Sequence, residues 1–209
     1  MKAFITLILN EGMKTGQITI LVFLMTLFKA NCQTTALTYD LIVSDKSIGT
    51  VKTSKTIDGN TITYTSNTDA TLSFIIDTNI KTRMTTVYKN DSLLSSDYKF
   101  YKNNKLKEFA TIVIKGGKYI FNHDGKTTEI NEGIRLSTIL LPFEIPKHNS
   151  VYFEEVEGHF KTIKSINKYS FKLTNPNNNS KDDYIYKNGI MEQCIVRNPF
   201  IDFTMVLLD

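Results

Sequence analysis

Only two cysteines occur among 209 residues, Cys32 and Cys194. If the chain is cut after Cys32, Cys194 stands alone, and neither an internal disulfide nor a thiolate metal cage can form. The setting of Cys194, from Met191 to Val196, reads as a strand rather than a nucleophile turn, so its thiol is expected to pack as a small hydrophobe. Histidine is scarce too. His123, His148 and His159 make no His-x-x-x-His or Glu-x-x-His pattern that would put ligands on one helix face. No metal and no cofactor is expected. Lysines and acids are interspersed at a formal net charge of +4, without a basic block. Nucleic-acid binding, which needs clustered positive charge, is excluded on that ground. Gly-x-Ser-x-Gly is missing, and Gly116-Gly117 lacks the Gly-Lys-Ser/Thr ending of a phosphate loop.

Long apolar runs are also missing. Ile18 to Phe28 spans eleven residues, short of the roughly 20 that a membrane-spanning helix needs. Met13-Lys14 precedes this run, and Ala30-Asn31-Cys32 follows it with small residues suited to a cut ahead of Gln33. That is the layout of a secretory signal peptide. Residues 1–32 are therefore read as the leader, with 1–12 an over-extended start ahead of Met13, and 33–209 as one domain. Lys29 and Asn31 stand where a lipidation site wants an apolar and a small residue, which argues for removal of Cys32 over its use as a lipid anchor. No transmembrane helix is expected in the mature chain.

What the chain has in abundance is alternation. Ile62, Tyr64, Ala70, Leu72, Phe74 and Ile76 share one parity, and Thr61, Thr63, Thr65, Asn67, Asp69, Thr71 and Ser73 the other. Successive strand side chains point to opposite faces, so this segment is a half-buried strand. Its length predicts a bend or bulge near Asn67-Thr68-Asp69. Turn signals punctuate the rest at short intervals: Asp45-Lys46, Asp58-Gly59-Asn60, Lys89-Asn90-Asp91, Asn103-Asn104, Gly116-Gly117, Asp124-Gly125, Glu157-Gly158 and Asn188-Gly189. Such spacing builds an antiparallel meander, because parallel strands need long crossovers. Residues 131–149 break the rhythm. Glu132 to Leu141 has helical spacing over one or two turns, ended by Pro142 and Pro146.

A flat sheet of this size would be unusual. Several strands carry apolar or aromatic residues on both parities: Phe100 with Tyr101, Phe109 with Ala110 and Ile112, Tyr119 with Ile120 and Phe121, and Tyr152 with Phe153. The predicted fold is all-β: a single curved antiparallel meander sheet, a half-barrel or open barrel of about thirteen strands, with one short helical plug segment over 134–146. A closed barrel of about eight strands and a two-layer sandwich are the competing architectures.

Leu37-Thr-Tyr-Asp-Leu41 followed by Lys46-Ser-Ile-Gly-Thr50 resembles the opening of an exported bacterial family of unknown function, DUF6134, related in pattern to the DUF3108 proteins. Leu136 to Pro146, leading to the acidic strand Val151 to Phe160, is similar to that family's apolar-proline segment. The stretch Tyr184 to Gly189 resembles its penultimate hairpin. The resemblance covers essentially all of the mature chain. It implies an envelope location in a Gram-negative bacterium, periplasmic or outer-membrane-associated, and a curved sheet similar to that of periplasmic lipoprotein carriers. It supplies no catalytic residues.

The leading expectation is a non-enzymatic envelope protein that takes a lipid or another hydrophobic small molecule into the curve of its sheet. Leu140, Leu141, Phe143, Tyr152 and Phe153 are placed near the mouth, with the plug moving aside for acyl chains. A scaffold that meets an envelope protein partner is the second reading. A hydrolase of envelope material is the third, and it needs Glu155, Glu157 and His159 to converge. Those three stand at steps of two, but a turn at Glu157-Gly158 would scatter them.

Overall fold

The computed structural model describes residues 32–73, 77–197 and 201–208. The leader read over 1–32 lies outside these residues except for Cys32, and so do Phe74 and Ile76 of the long predicted strand. Among the described residues no helix is long and apolar enough to cross a membrane.

Among the described residues, the domain from Gln33 onward is one antiparallel sheet of 14 strands. Eight form its first half: β1 (Gln33–Val43), β2 (Lys46–Asp58), β3 (Thr61–Ser73), β4 (Asp77–Lys89), β5 (Ser92–Lys102), β6 (Lys105–Lys115), β7 (Lys118–His123) and β8 (Lys126–Ile130). After a 3-10 helix at Thr138–Phe143 come β9 (Val151–Glu154), β10 (His159–Ser165), β11 (Ser170–Thr174), β12 (Lys181–Lys187), β13 (Ile190–Val196) and β14 (Phe203–Leu207). Every strand pairs with its sequence neighbour except where β1 meets β14 in mid-sheet. The chain thus starts in the middle, meanders to one edge at β8, crosses through the 3-10 segment to the other edge at β9, and meanders back. Two-residue turns drive this. At Ser44-Asp45, Asn90-Asp91, Asn103-Asn104, Gly116-Gly117, Asp124-Gly125 and Asn188-Gly189 both central residues have positive φ, the geometry that matches the twist of paired strands.

Of the bend or bulge expected at Asn67–Asp69, no bulge is there. Strand β3 pairs without interruption to β2 and to β4 along its described length. Register shifts fall instead at Leu41/Ile42, Val87/Tyr88, Phe100/Tyr101 and Ile185/Tyr186. The sheet absorbs its curvature by local bulges distributed over several strands, so β3 need not break. The predicted helix is likewise displaced. It begins at Thr138 and holds Pro142 inside its last turn rather than ending before it. In so short a 3-10 turn only one hydrogen-bond donor is lost to the proline.

The concave face closes around the crossover segment. One core cluster joins Tyr39, Leu41, Val51, Ala70, Tyr152, Ile163, Phe171, Leu173, Tyr184, Tyr186, Met191 and Cys194 to Leu141. The other joins Tyr64, Tyr88, Leu93, Ala110, Ile112, Phe121, Ile130 and Phe153 to Ile134, Ile139 and Leu140. The plug therefore contributes to both, and burial of each of its four aliphatic side chains contributes roughly 1.5–3 kcal/mol. Polar bonds fix it from both wings. Tyr88 of β4 donates to Ser137 Oγ at 2.7 Å, and Tyr186 of β12 donates to the Leu141 carbonyl at 3.0 Å. Leu93 N–H donates to the Ile134 carbonyl and Phe153 N–H to the Leu136 carbonyl, both at 2.9 Å. Ser137 also forms a parallel bridge with Phe153, covering part of the β9 edge. The two ends of the sheet come close at Gly158, in the β9–β10 turn, where a Cβ would collide with the Phe121 ring of β7. Its φ of +71° adds a second reason for glycine there.

Candidate functional site

A hollow of about 590 Å³ lies inside the curl, within the size range of small-molecule pockets. One row of paired residues forms much of its wall. Tyr184 pairs with Cys194, Cys194 with Met205, Met205 with Leu41, Leu41 with Gly49, Gly49 with Ala70, and Ala70 with Ile80. The row crosses seven adjacent strands, β12 to β14 and then β1 to β4, and every member except Gly49 lines the hollow. Gly49 has no room for a side chain: a Cβ there would collide with the Asp69 carbonyl and with Ala70. Gly49→Ala should therefore push β2 from β3 and cost about 1–3 kcal/mol, as overpacking does. The check is a lowered urea midpoint. An unchanged midpoint would show that the strands part without strain.

Met84, Phe100, Val156 and Phe203 add further apolar lining, and Thr138, Ile139, Leu141 and Pro142 bring the plug against the same space. Thr53, Ser66 and Thr68 contribute hydroxyls from β2 and β3. Thr53 is buried at 4% exposure, and its Oγ1 has no hydrogen-bond partner among the described residues.

The remaining lining is charged. Glu154, Glu157, Lys161 and Asp182 gather where β9, the β9–β10 turn, β10 and β12 meet. Lys161 Nζ lies 3.1 Å from Glu154 Oε2 and 3.6 Å from Glu157 Oε2. Burial pulls the Lys161 ammonium down, but Glu154 and Glu157 more than offset that and hold it above its ordinary value. Burial raises the Asp182 carboxyl, against the lowering effects of the Arg197 N–H and of Lys161. Asn175 Nδ2 donates to Glu157 Oε2 at 3.0 Å. His159 Nε2 is 3.3 Å from the same oxygen without an aligned hydrogen bond. Cys194, also in the wall, has its thiol pushed up by burial, so it is a poor nucleophile.

Glu155 stands apart. It is 1% exposed and turned to the plug, where Thr138 Oγ1 donates to it at 2.8 Å and Ile139 N–H at 3.4 Å. Burial, reinforced by neighbouring Glu154, pushes its carboxyl up to about 7. Glu155, Glu157 and His159 therefore do not converge as a hydrolase would need, although Glu157 and His159 touch. Among the described residues no group of three or more His, Cys, Asp or Glu side chains could hold a metal.

Of the residues the sequence put near a mouth, Leu141 lines the hollow. Leu140 and Phe153 are buried in one core cluster and Tyr152 in the other. Phe143 is half-buried, its ring 5.6 Å from that of Tyr64. The plug unites these five, but four of them face packed interior. The sequence reading missed Ile80, Met84, Phe100, Phe203 and Met205, along with the hydroxyls of Ser66 and Thr68. A parity signal for the last two was present, since they fall in step with Tyr64 and Ala70.

An open antiparallel sheet curled on an apolar hollow defines a barrel-like protein. The same fold is seen in the crystal structure of a beta-barrel-like protein of Domain of Unknown Function DUF1849 from Brucella abortus, with a TM-score of 0.60, 10% identity, and coverage of 85% of this chain and 96% of that one. The chain belongs to the family described as Domain of unknown function (DUF6134), whose profile matches residues 39–208. Among curated proteins none matches the sequence.

Proposed function

We propose that this is a non-enzymatic, exported envelope protein that binds a lipid or another hydrophobic ligand in the hollow of its curved sheet. The observation that carries the reading is the hollow itself: a largely apolar space, walled by a row of residues from seven strands, with half-buried Ile80, Met84, Phe100, Phe203 and Met205 facing it. A sheet that needed only a core would close such a space with side chains. The plug need not move for this. It is hydrogen-bonded to both wings, and it forms part of the hollow's lining while seated.

The test is a chain-length series of alkyl maltosides titrated calorimetrically below their micelle-forming concentrations. Each methylene that enters the hollow is worth about 0.8 kcal/mol, so the Kd should tighten about fourfold per added carbon until the space is filled. Absence of saturable binding, or affinity indifferent to chain length, would remove the ligand-binding reading.

A further inference from the structure

We infer that the ligand of this hollow is an amphiphile with a positively charged, ammonium-type head, because Glu154, Glu157 and Asp182 line one part of the cavity against the single ammonium of Lys161. The inference rests on the hollow being a ligand site and specifies which ligand it takes.

The argument is one of charge and hydrogen-bond capacity. Among the described residues lining the hollow, three carboxylates face one cation. That cation is not free to meet a ligand. Lys161 is 8% exposed, and its ammonium is already held between Glu154 and Glu157. An ionised carboxylate offers about four acceptor positions. On Glu157 the polar contacts given by the structure, from Asn175, Lys161 and His159, all fall on Oε2. Of the two other basic side chains near the cluster, His159 lies against Glu157 Oε2, and Arg197 spends its guanidinium on Asp183 and Asp202, so that only its backbone N–H reaches Asp182. A carboxylate or phosphate head would thus meet like charge, a cost that selects against it. A primary ammonium carries three donors and no acceptor, the complement of this lining.

A second observation concerns the polarity of the wall. Thr53 is buried and lines the same space, and its hydroxyl has no hydrogen-bond partner among the described residues. The Thr53 oxygen is itself closed off, so it is the residue's place in the wall, beside other hydroxyl side chains, that adds polarity to the lining. Thr53 pairs with Ser66, also in the lining, so the β2–β3 wall presents hydroxyls to a ligand whose other contacts are apolar.

The experiment compares three probes with the same dodecyl chain, dodecylammonium, dodecanoate and dodecyl maltoside, titrated into the mature chain at low salt and below micelle formation. Native mass spectrometry gives the stoichiometry. Dodecylammonium should bind once, at least about tenfold tighter than dodecanoate, with the gap shrinking as salt screens the cluster. Glu157→Gln, at a half-exposed turn position that the fold tolerates, should cost dodecylammonium about fivefold or more and leave dodecyl maltoside within about twofold. Equal affinity for the two charged probes, or preference for dodecanoate, overturns the inference while the maltoside arm keeps the hollow as a ligand site. Failure of all three probes overturns both. Multiple, non-saturating dodecylammonium adducts insensitive to Glu157→Gln would reduce the effect to surface adsorption and overturn the inference as well.

Discussion

Phe153→Ala is expected to remove about 3–5 kcal/mol of folding stability, a large share of what a domain of this size holds. Phe153 is fully buried. Its ring stacks edge-on against Phe160 at 5.2 Å. Its backbone N–H holds the Leu136 carbonyl, and its strand bridges Ser137. The residue therefore joins the β9 edge to the plug, and through the plug to β4 and β5. Truncation leaves a cavity that cannot collapse, because hydrogen bonds hold both walls in place. The loss should appear as a lower urea midpoint with an unchanged slope. Because Phe153 does not line the hollow, the folded variant should still bind alkyl maltosides with affinity within about twofold of the parent. A loss below about 1 kcal/mol would show that the plug does not depend on this edge.

That separation of stability from binding marks the limit of what the sequence disclosed. The hairpins were legible because each turn is a local event. Asn103-Asn104 and Asn188-Gly189 carry the residues that tolerate positive φ, and neighbouring strands follow from them. The single curved sheet was legible for a related reason, since apolar residues on both parities need two buried faces or a filled interior. The family followed from residues spread between Leu37 and Gly189. The composition of the hollow was not legible. Its wall is a row across seven strands in which residues as distant as Ile80 and Cys194 share one level, and that row depends on β1 meeting β14, a non-local pairing that no turn announces. The expected site residues cluster around the proline segment because that segment is where periodicity breaks. The break marked the plug, whereas most of the hollow's lining comes from the strands. Curvature was misplaced in the same way: a long strand suggested one bend, whereas the structure spreads the strain over several one-residue register shifts.

The second large effect concerns pH. Stability should fall as pH rises from about 5 to about 8, with Glu155 as the principal cause. Burial pushes its carboxyl from 4.5 up to about 7 in the native state, with Glu154 adding repulsion and the hydrogen bonds from its partners on the plug acting the other way. Below the unfolded value both states hold the proton, and the stabilisation is fully present. Between the two values the native state is protonated and the unfolded chain is not, so raising the pH favours unfolding. Above the native value both are ionised and the loss is complete, on the order of 3 kcal/mol. The groups that face Glu155 electrostatically are Glu154 and Tyr88. Tyr88 has its phenol raised by burial far above this window. Asp182, also raised by burial, adds a decline of the same sign nearer the acidic end. Glu155→Gln keeps an oxygen for the Ile139 N–H and removes the titration, so its urea midpoint should vary much less across this range and at pH 8 should equal or exceed the parent's. A flat parent profile, or a variant that keeps the parent's slope, would assign the proton elsewhere. Ser137, Thr138, its own backbone and a long contact to Ile139 support the Glu155 carboxylate, but burial still outweighs them, so ionisation regains only part of the lost hydration. The plug it grips should then loosen at alkaline pH even while Tyr88 and Tyr186 still hold it, and faster amide exchange at Ile139 and Leu140 is where that loosening would register first.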